Sequence, residues 1–127
     1  MNFIRSFFTS AVKLSPEARM ANVKEVQRII DNNNVARHTV VFSKTWCPYC
    51  KATKQTLNDL KAQYEVVELD NRNDGDDLQD ALLEISGQRS VPNIFFGKKH
   101  IGGNSDLQEL LKSGQLKARL EEVGAFA

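Results

Sequence analysis

The sequence predicts an α/β fold built on a mixed sheet, and three observations carry that expectation. Segments with helical spacing of apolar residues alternate with short β-rich runs along the chain. Two strand-like runs late in the chain flank a glycine turn, which reads as a hairpin. The length, 127 residues, suits one compact domain and leaves little room for a second.

Each element follows from local pattern. Val23, Val26, Ile29 and Ile30 recur at helical spacing until Asn32-Asn33-Asn34 breaks the run. Residues 39–42 form a short β-rich stretch that reads as a buried strand. A helix is predicted over 48–62, with Pro48 in the first turn, where its missing N–H costs nothing. Residues 65–69 form a second strand candidate, followed by a polar loop over 70–74. Leu78, Leu82 and Ile85 then mark a helix that ends near Gly87. Residues 93–96 and 99–101 flank the Gly97 turn as the hairpin. Leu107, Leu110 and Leu111 mark a further helix, and residues 116–123 another after a break at Gly114.

The first nineteen residues differ from the rest. They carry Arg5, Lys13 and Arg19 against one acid, Glu17, with Ser6, Thr9, Ser10 and Ser15 interspersed. Wound as a helix, Phe3, Phe7, Ala11 and Leu14 share one face beside Ile4 and Phe8, and Arg5, Thr9 and Lys13 lie on another. This pattern is that of an organellar import peptide, so residues 1–19 read as a targeting extension and 20–127 as the folded domain. Translation from Met1 would then direct the protein to mitochondria. Translation from Met20 would leave it in the cytosol and turn the net charge of +1 to −1, since three bases and one acid are lost.

Composition narrows the function. Seventeen Lys and Arg against sixteen Asp and Glu lack the basic excess of a nucleic-acid binder. No apolar run approaches the roughly 18 residues of a membrane-spanning helix. The two cysteines, Cys47 and Cys50, are too few and too close to staple a secreted scaffold.

Those cysteines carry the chemistry. In Trp46-Cys47-Pro48-Tyr49-Cys50 they stand where a strand gives way to a helix. One thiol of such a pair can attack a substrate disulfide while the other resolves the mixed disulfide. The helix start offers unpaired N–H groups and a positive dipole end to a thiolate at Cys47, and Lys44 and Lys51 add charge nearby. Cys50, one turn further in, is expected to be more shielded, which makes Cys47 the nucleophile and Cys50 the resolving thiol. For attack, acidifying a thiol from about 8.5 to about 5 raises the thiolate fraction roughly 30-fold at pH 7. The accompanying loss of nucleophilicity nearly cancels this gain. Leaving-group ability survives, which favours a catalyst turned over by an abundant small thiol. A structural zinc site would need His38 and His100 as the remaining ligands, and neither has paired zinc-finger spacing. Each reads better as a surface or strand-edge residue.

Followed by Ser90-Val91-Pro92 and then Gly102-Gly103-Asn104-Ser105-Asp106, the Cys47-Pro48-Tyr49-Cys50 motif resembles the dithiol glutaredoxins of the CPYC type. The resemblance covers residues 21–123, and the runs 87–93 and 100–104 are most similar to fungal members. It implies a thioredoxin-like fold, with a four-stranded mixed sheet flanked by helices. It also implies a glutathione-dependent thiol–disulfide oxidoreductase with glutathione as cosubstrate, no metal, and glutathionylated or disulfide-bonded proteins as partners.

By the same resemblance, Lys44 and Gln88 would bind the glycine carboxylate of glutathione, with Arg89 close enough to assist. Val91, before a cis-Pro92, would pair its backbone with the cysteinyl part. Ser105 and Asp106 would hold the γ-glutamyl end, and Tyr49 would line the groove. Serine replaces the commoner threonine before Val91, and Asn104-Ser105 fills a variable position. An alternative is a [2Fe–2S] cluster shared by two protomers and two glutathiones, against which the stiff Pro48 argues. A thioredoxin-type reductase is disfavoured by the Pro-Tyr between the cysteines and by the Gly-Gly-Asn-Ser-Asp segment. Nothing in the sequence calls for an obligate dimer, so a monomer is expected.

Overall fold

A computed structural model describes residues 14–32 and 38–126 of the chain. The amphipathic face predicted around Phe3, Phe7 and Ala11, and the Asn33-Asn34 part of the helix break, lie outside these residues. Helix α1 runs over Pro16–Ile30, with Ser15 as N-cap accepting the Ala18 N–H at 3.0 Å and Pro16 in the first turn. Then come β1 (Thr39–Ser43), α2 (Pro48–Asp59), β2 (Glu65–Glu68), a 3-10 turn (Leu69–Asn71) and α3 (Gly75–Ser86). The chain closes with β3 (Asn93–Phe96), β4 (Lys99–Gly102), α4 (Asn104–Lys112) and α5 (Leu116–Glu122).

The four strands lie in the order β2-β1-β3-β4. β1 runs parallel to β2, with Val41 opposite Val66, and antiparallel to β3, with Val41 opposite Ile94. β3 and β4 form the antiparallel hairpin, with an irregularity between Ile94 and Phe95. This is the thioredoxin-like arrangement expected of the sequence. β1 is buried along its whole length, so side chains alternate between two cores rather than between core and water. On one face Val40, Phe42 and Phe95 pack with Val26, Ile29 and Ile30 of α1 and with Leu78, Ala81 and Leu82 of α3. Phe42 and Phe95 meet edge to face at 6.0 Å there. On the other face Val41, Ile94 and Phe96 pack with Leu57 of α2, Leu107 of α4, and Leu116 and Leu120 of α5.

Several boundaries move from those the sequence predicts. α1 begins at Pro16, so it crosses the 19/20 division, and Arg19 pairs with Glu84 of α3 at 3.1 Å. α2 stops at Asp59, short of residue 62, because Lys61 turns to a left-handed φ of 59°. The N–H of Ala62 then reaches back to the carbonyl of Leu57 at 3.0 Å and closes the helix end. Leu69 belongs to the 3-10 turn rather than to β2, and this turn begins the segment read as a polar loop. α3 ends where Gly87 adopts φ 80° and donates its N–H to Leu83.

Candidate functional site

Cys47 and Cys50 sit where β1 hands over to α2, as the sequence predicts. Cys47 is the N-cap of α2 and its Sγ accepts the N–H of Cys50 at 3.4 Å. A sulfur in this place takes a backbone donor that the helix leaves unpaired. The sulfur is less open than an exposed thiolate would be: Cys47 is 7% exposed, with its Sγ turned toward the helix start and 3.9 Å from the carbonyl of Val91. Cys50 lies one turn deeper and is fully buried. Burial pushes its thiol up to about 11, helped by the hydrogen bond with Cys47 and opposed by hydrogen bonding from Lys44 and Ser43. Cys50 therefore holds its proton at neutral pH, the state suited to a group that acts second.

The loop before Cys47 is tied to the neighbouring strand end. Thr45 donates both its N–H, at 3.1 and 3.2 Å, and its hydroxyl to the Asp70 carboxylate in the 3-10 turn. The Thr45 hydroxyl, with smaller help from its N–H, holds the Asp70 carboxyl below its usual range. Lys44 extends over the Trp46 ring, with its Nζ 5.8 Å from the ring centroid. Trp46 and Tyr49 are the exposed aromatics flanking Cys47.

Opposite the sulfur lies the segment 88–92, with a cis bond between Val91 and Pro92. Both amide N–H groups of Gln88 are used within it, on the carbonyls of Ser90 and Pro92 at 3.0 Å each. The expected donation from Gln88 to a glycine carboxylate would need these two bonds to the loop's own carbonyls to be exchanged for it. Arg89, expected to assist, instead pairs with Asp80 at 2.7 Å.

The third segment joins β4 to α4. Gly103 packs beside the Pro92 carbonyl and the Gln88 amide. Its N–H goes to Asp106 Oδ2 at 2.9 Å. Gly102 must be glycine: its φ is 125°, and a Cβ would collide with the Asp106 carboxylate. Ser105 is exposed in the first turn of α4. Asn104 Oδ1 accepts from the buried Thr53 hydroxyl of α2 at 2.9 Å and from Gln108 at 3.2 Å, which fixes the start of α4 against the cysteine-bearing helix.

Residues that the sequence reading missed are Thr45, Thr53, Asp70, Gln79 and Asn93: Thr45 meets Asp70 across 25 residues and Thr53 meets Asn104 across 51, while Gln79 and Asn93 meet partners five to ten residues away at no motif spacing. Paired spacing, the signal that exposed the cysteines, does not reach them. The histidines are committed elsewhere, His38 Nδ1 to the Val123 carbonyl at 2.8 Å and His100 Nε2 to Asn93 at 2.9 Å. Among the described residues no group of three His, Cys, Asp or Glu is placed to hold a metal ion, and no helix is long and apolar enough to cross a membrane.

Comparison with known proteins agrees with this geometry. A family model described as glutaredoxin matches residues 39–101. A glutaredoxin of Vernicia fordii is 51% identical over 106 residues, covering 84% of this chain and 97% of the relative. Glutaredoxin-1 of Saccharomyces cerevisiae is 44% identical over 105 residues, covering 80% and 92%. Among solved structures, a buckwheat glutaredoxin–glutathione complex superposes with a TM-score of 0.83 at 40% identity, over 90% of this chain and all of the other.

Proposed function

The chain belongs to the glutaredoxin family, and on that premise we propose that it is a glutathione-dependent thiol–disulfide oxidoreductase with Cys47 as nucleophile and Cys50 as resolving thiol. The observation that carries the reading is the Cys47 sulfur, held at the start of α2 and facing the carbonyl of Val91 before the cis-proline. Cys47 thiolate attacks the glutathione sulfur of a mixed disulfide, forms an S–S bond with it, and releases the protein thiolate, which takes up a proton. A second glutathione thiolate attacks that glutathione sulfur, restoring the Cys47 thiolate and leaving oxidised glutathione. With a protein disulfide, Cys50 loses its proton and displaces the protein from Cys47. The Cys47–Cys50 disulfide is then reduced by two glutathiones.

The Cys47-Pro48-Tyr49-Cys50 sequence supports placement in the CPYC type. The likeness of the runs 87–93 and 100–104 to fungal members has the yeast relative in its favour, beside plant relatives such as that of Vernicia fordii at 51%. Glutathione lies in a groove formed by Lys44, Tyr49, Val91, Pro92, Ser105 and Asp106, with Gln88 bracing the wall. Lys44 supplies charge for the glycine carboxylate, and the Asp106 oxygen not used by Gly103 accepts the γ-glutamyl amino group. Glutathionylated and disulfide-bonded proteins are the clients of a monomer. The acid-poor residues 1–19 act as a mitochondrial leader when translation starts at Met1, and a 1–19 reporter fusion that stays diffuse in the cytosol would overturn that reading.

The test of function is glutathione-coupled reduction of a small glutathione mixed disulfide. Wild type and Cys50→Ser are expected to turn over and Cys47→Ser to be inactive. Retained activity in Cys47→Ser would overturn the assignment of the nucleophile, and inactivity of the wild type would overturn the glutathione reading.

A further inference from the structure

The segment 88–92 has an unusual distribution of hydrogen bonds. It belongs to no helix or strand, yet four of its five carbonyls are occupied, each by a side chain. The Gln88 carbonyl accepts from Asn93 Nδ2 at 3.0 Å and from the Ser86 hydroxyl at 3.3 Å. The Arg89 carbonyl accepts from Gln79 Nε2 at 2.9 Å. Those of Ser90 and Pro92 accept from Gln88 Nε2. Only the Val91 carbonyl has no N–H or O–H donor; among the described residues its one partner is the Cys47 thiol at 3.9 Å, a weak donor that is lost when the thiol ionises.

The donors are themselves fixed. Asn93 is fully buried in β3, and Gln79 is buried in α3. Since the Gln88 carbonyl can only accept, it must meet the NH2 end of Asn93, so Asn93 Oδ1 faces His100 and accepts its Nε2–H. His100 of β4 thereby sets the rotamer of a carboxamide that reaches the loop two elements away. Gln79 Oε1 is buried without a partner, so this side chain gives up one acceptor's bond to keep its donor on Arg89.

We infer that Gln79 and Asn93 are positioning residues for the substrate-binding backbone: with Gln88, their carboxamides occupy every carbonyl of the segment 88–92 except that of Val91, which is left to pair with the backbone of a bound glutathione. This inference rests on the glutathione reading above. A peptide in a shifted register would have to share carbonyls that already hold a donor, and would pair less well than at Val91. The segment also cannot rotate the Val91 peptide without breaking bonds on both sides. Neither residue touches the cysteines, so both act on binding rather than on the sulfur.

The test uses Asn93→Leu and Gln79→Met, near-isosteres without donors, each in wild-type and Cys50→Ser backgrounds. The readouts are KM and kcat for the mixed disulfide of cysteine and glutathione, and the rate of Cys47 alkylation by iodoacetamide. A net hydrogen bond of about 1 kcal/mol corresponds to about fivefold. Gln79→Met is therefore expected to raise KM by about threefold to fivefold, and Asn93→Leu, which loses both the bond donated to Gln88 and the bond accepted from His100, by about tenfold or more. Alkylation of Cys47 should stay within about twofold of its parent. If Asn93→Leu fails to fold, Gln79→Met decides. Unchanged KM in an active Gln79→Met protein, or alkylation and KM moving together, would overturn the inference while leaving the glutathione reading intact. A wild type that ignores glutathione would overturn both.

Discussion

Two backbone segments meet at the Cys47 sulfur, and they are held by different chemistry. The segment 44–50 is anchored through ionising groups. Thr45 is clasped by the Asp70 carboxylate, and the turn that follows carries two thiols. The carbonyls of the segment 88–92 are held by neutral carboxamides, with one histidine behind them, beside an exposed Arg89–Asp80 ion pair. The first segment must change charge during a cycle, since its sulfurs exchange protons and bonds. The second must present the same backbone acceptor whatever the state of the first, and amides do so because they do not titrate. The segment 44–50 should therefore respond to pH and charge in rate, and the segment 88–92 should not respond in binding.

The largest expected effect lies in the first segment. Burial, the main cause of the raised Cys50 pKa, persists when Cys47 is replaced, although the smaller contribution from Cys47 is lost. In Cys47→Ser, alkylation of Cys50 at neutral pH should lag an ordinary thiol by up to about a hundredfold. That figure is the distance between 9.0 and about 11. The rate should rise about tenfold per pH unit and bend only above the ordinary 9.0. A bend near pH 9 would mean that Cys50 is not shielded as the structure has it, and the order of the two thiols would need another cause.

A smaller effect is expected at Asp70. Its lowered pKa means that the anchor is intact at all pH values above the ordinary 3.8. It is lost only as acid passes the still lower folded value, so no neutral-range pH effect arises there. Asp70→Asn keeps one acceptor oxygen for Thr45 but loses the charge and the second oxygen. The rate of Cys47 alkylation and kcat should fall by about twofold to fivefold, with KM for the glutathione mixed disulfide unchanged. A change confined to KM would erase the distinction between the two segments.

How far the sequence exposes these features depends on the range over which each acts. The β-rich run Val40-Val41-Phe42, the Gly97 turn and the helical spacing of Leu78 and Leu82 are local, and each marks an element that the structure contains. The cysteines and the cis-proline segment are visible because their motifs are short and ordered in the chain. Gln88 shows the limit: the motif marks its place in the chain but not that its donors turn inward to carbonyls two and four residues ahead. Gln79 and Asn93 leave less trace still. A buried Gln in a helix and an Asn at a strand start look like ordinary polar residues until the fold brings the loop to them. Asp70, read only as loop, lies twenty-five residues from Thr45.

The smallest effect tests the neutrality of the second anchor. Burial lowers the His100 pKa from 6.5, and the Asp106 carboxylate offsets this only in part. A depressed folded value means that the unfolded chain binds the proton first. Stability is therefore full above pH 6.5 and falls as acid passes through the lower folded value. In wild type, lowering the pH from 7.5 to 5 should cost a few degrees of Tm at most, by an amount that His100→Gln lacks. KM should behave differently. Neutral and protonated His100 both carry the Nε2–H that Asn93 accepts, so the loop keeps its geometry through the titration. Tm that shifts in this window while KM for the glutathione mixed disulfide stays flat is the signature of an anchor that titrates without moving. A KM that rose with the Tm loss would mean that the histidine controls the segment, and that the carboxamides do not isolate it from charge.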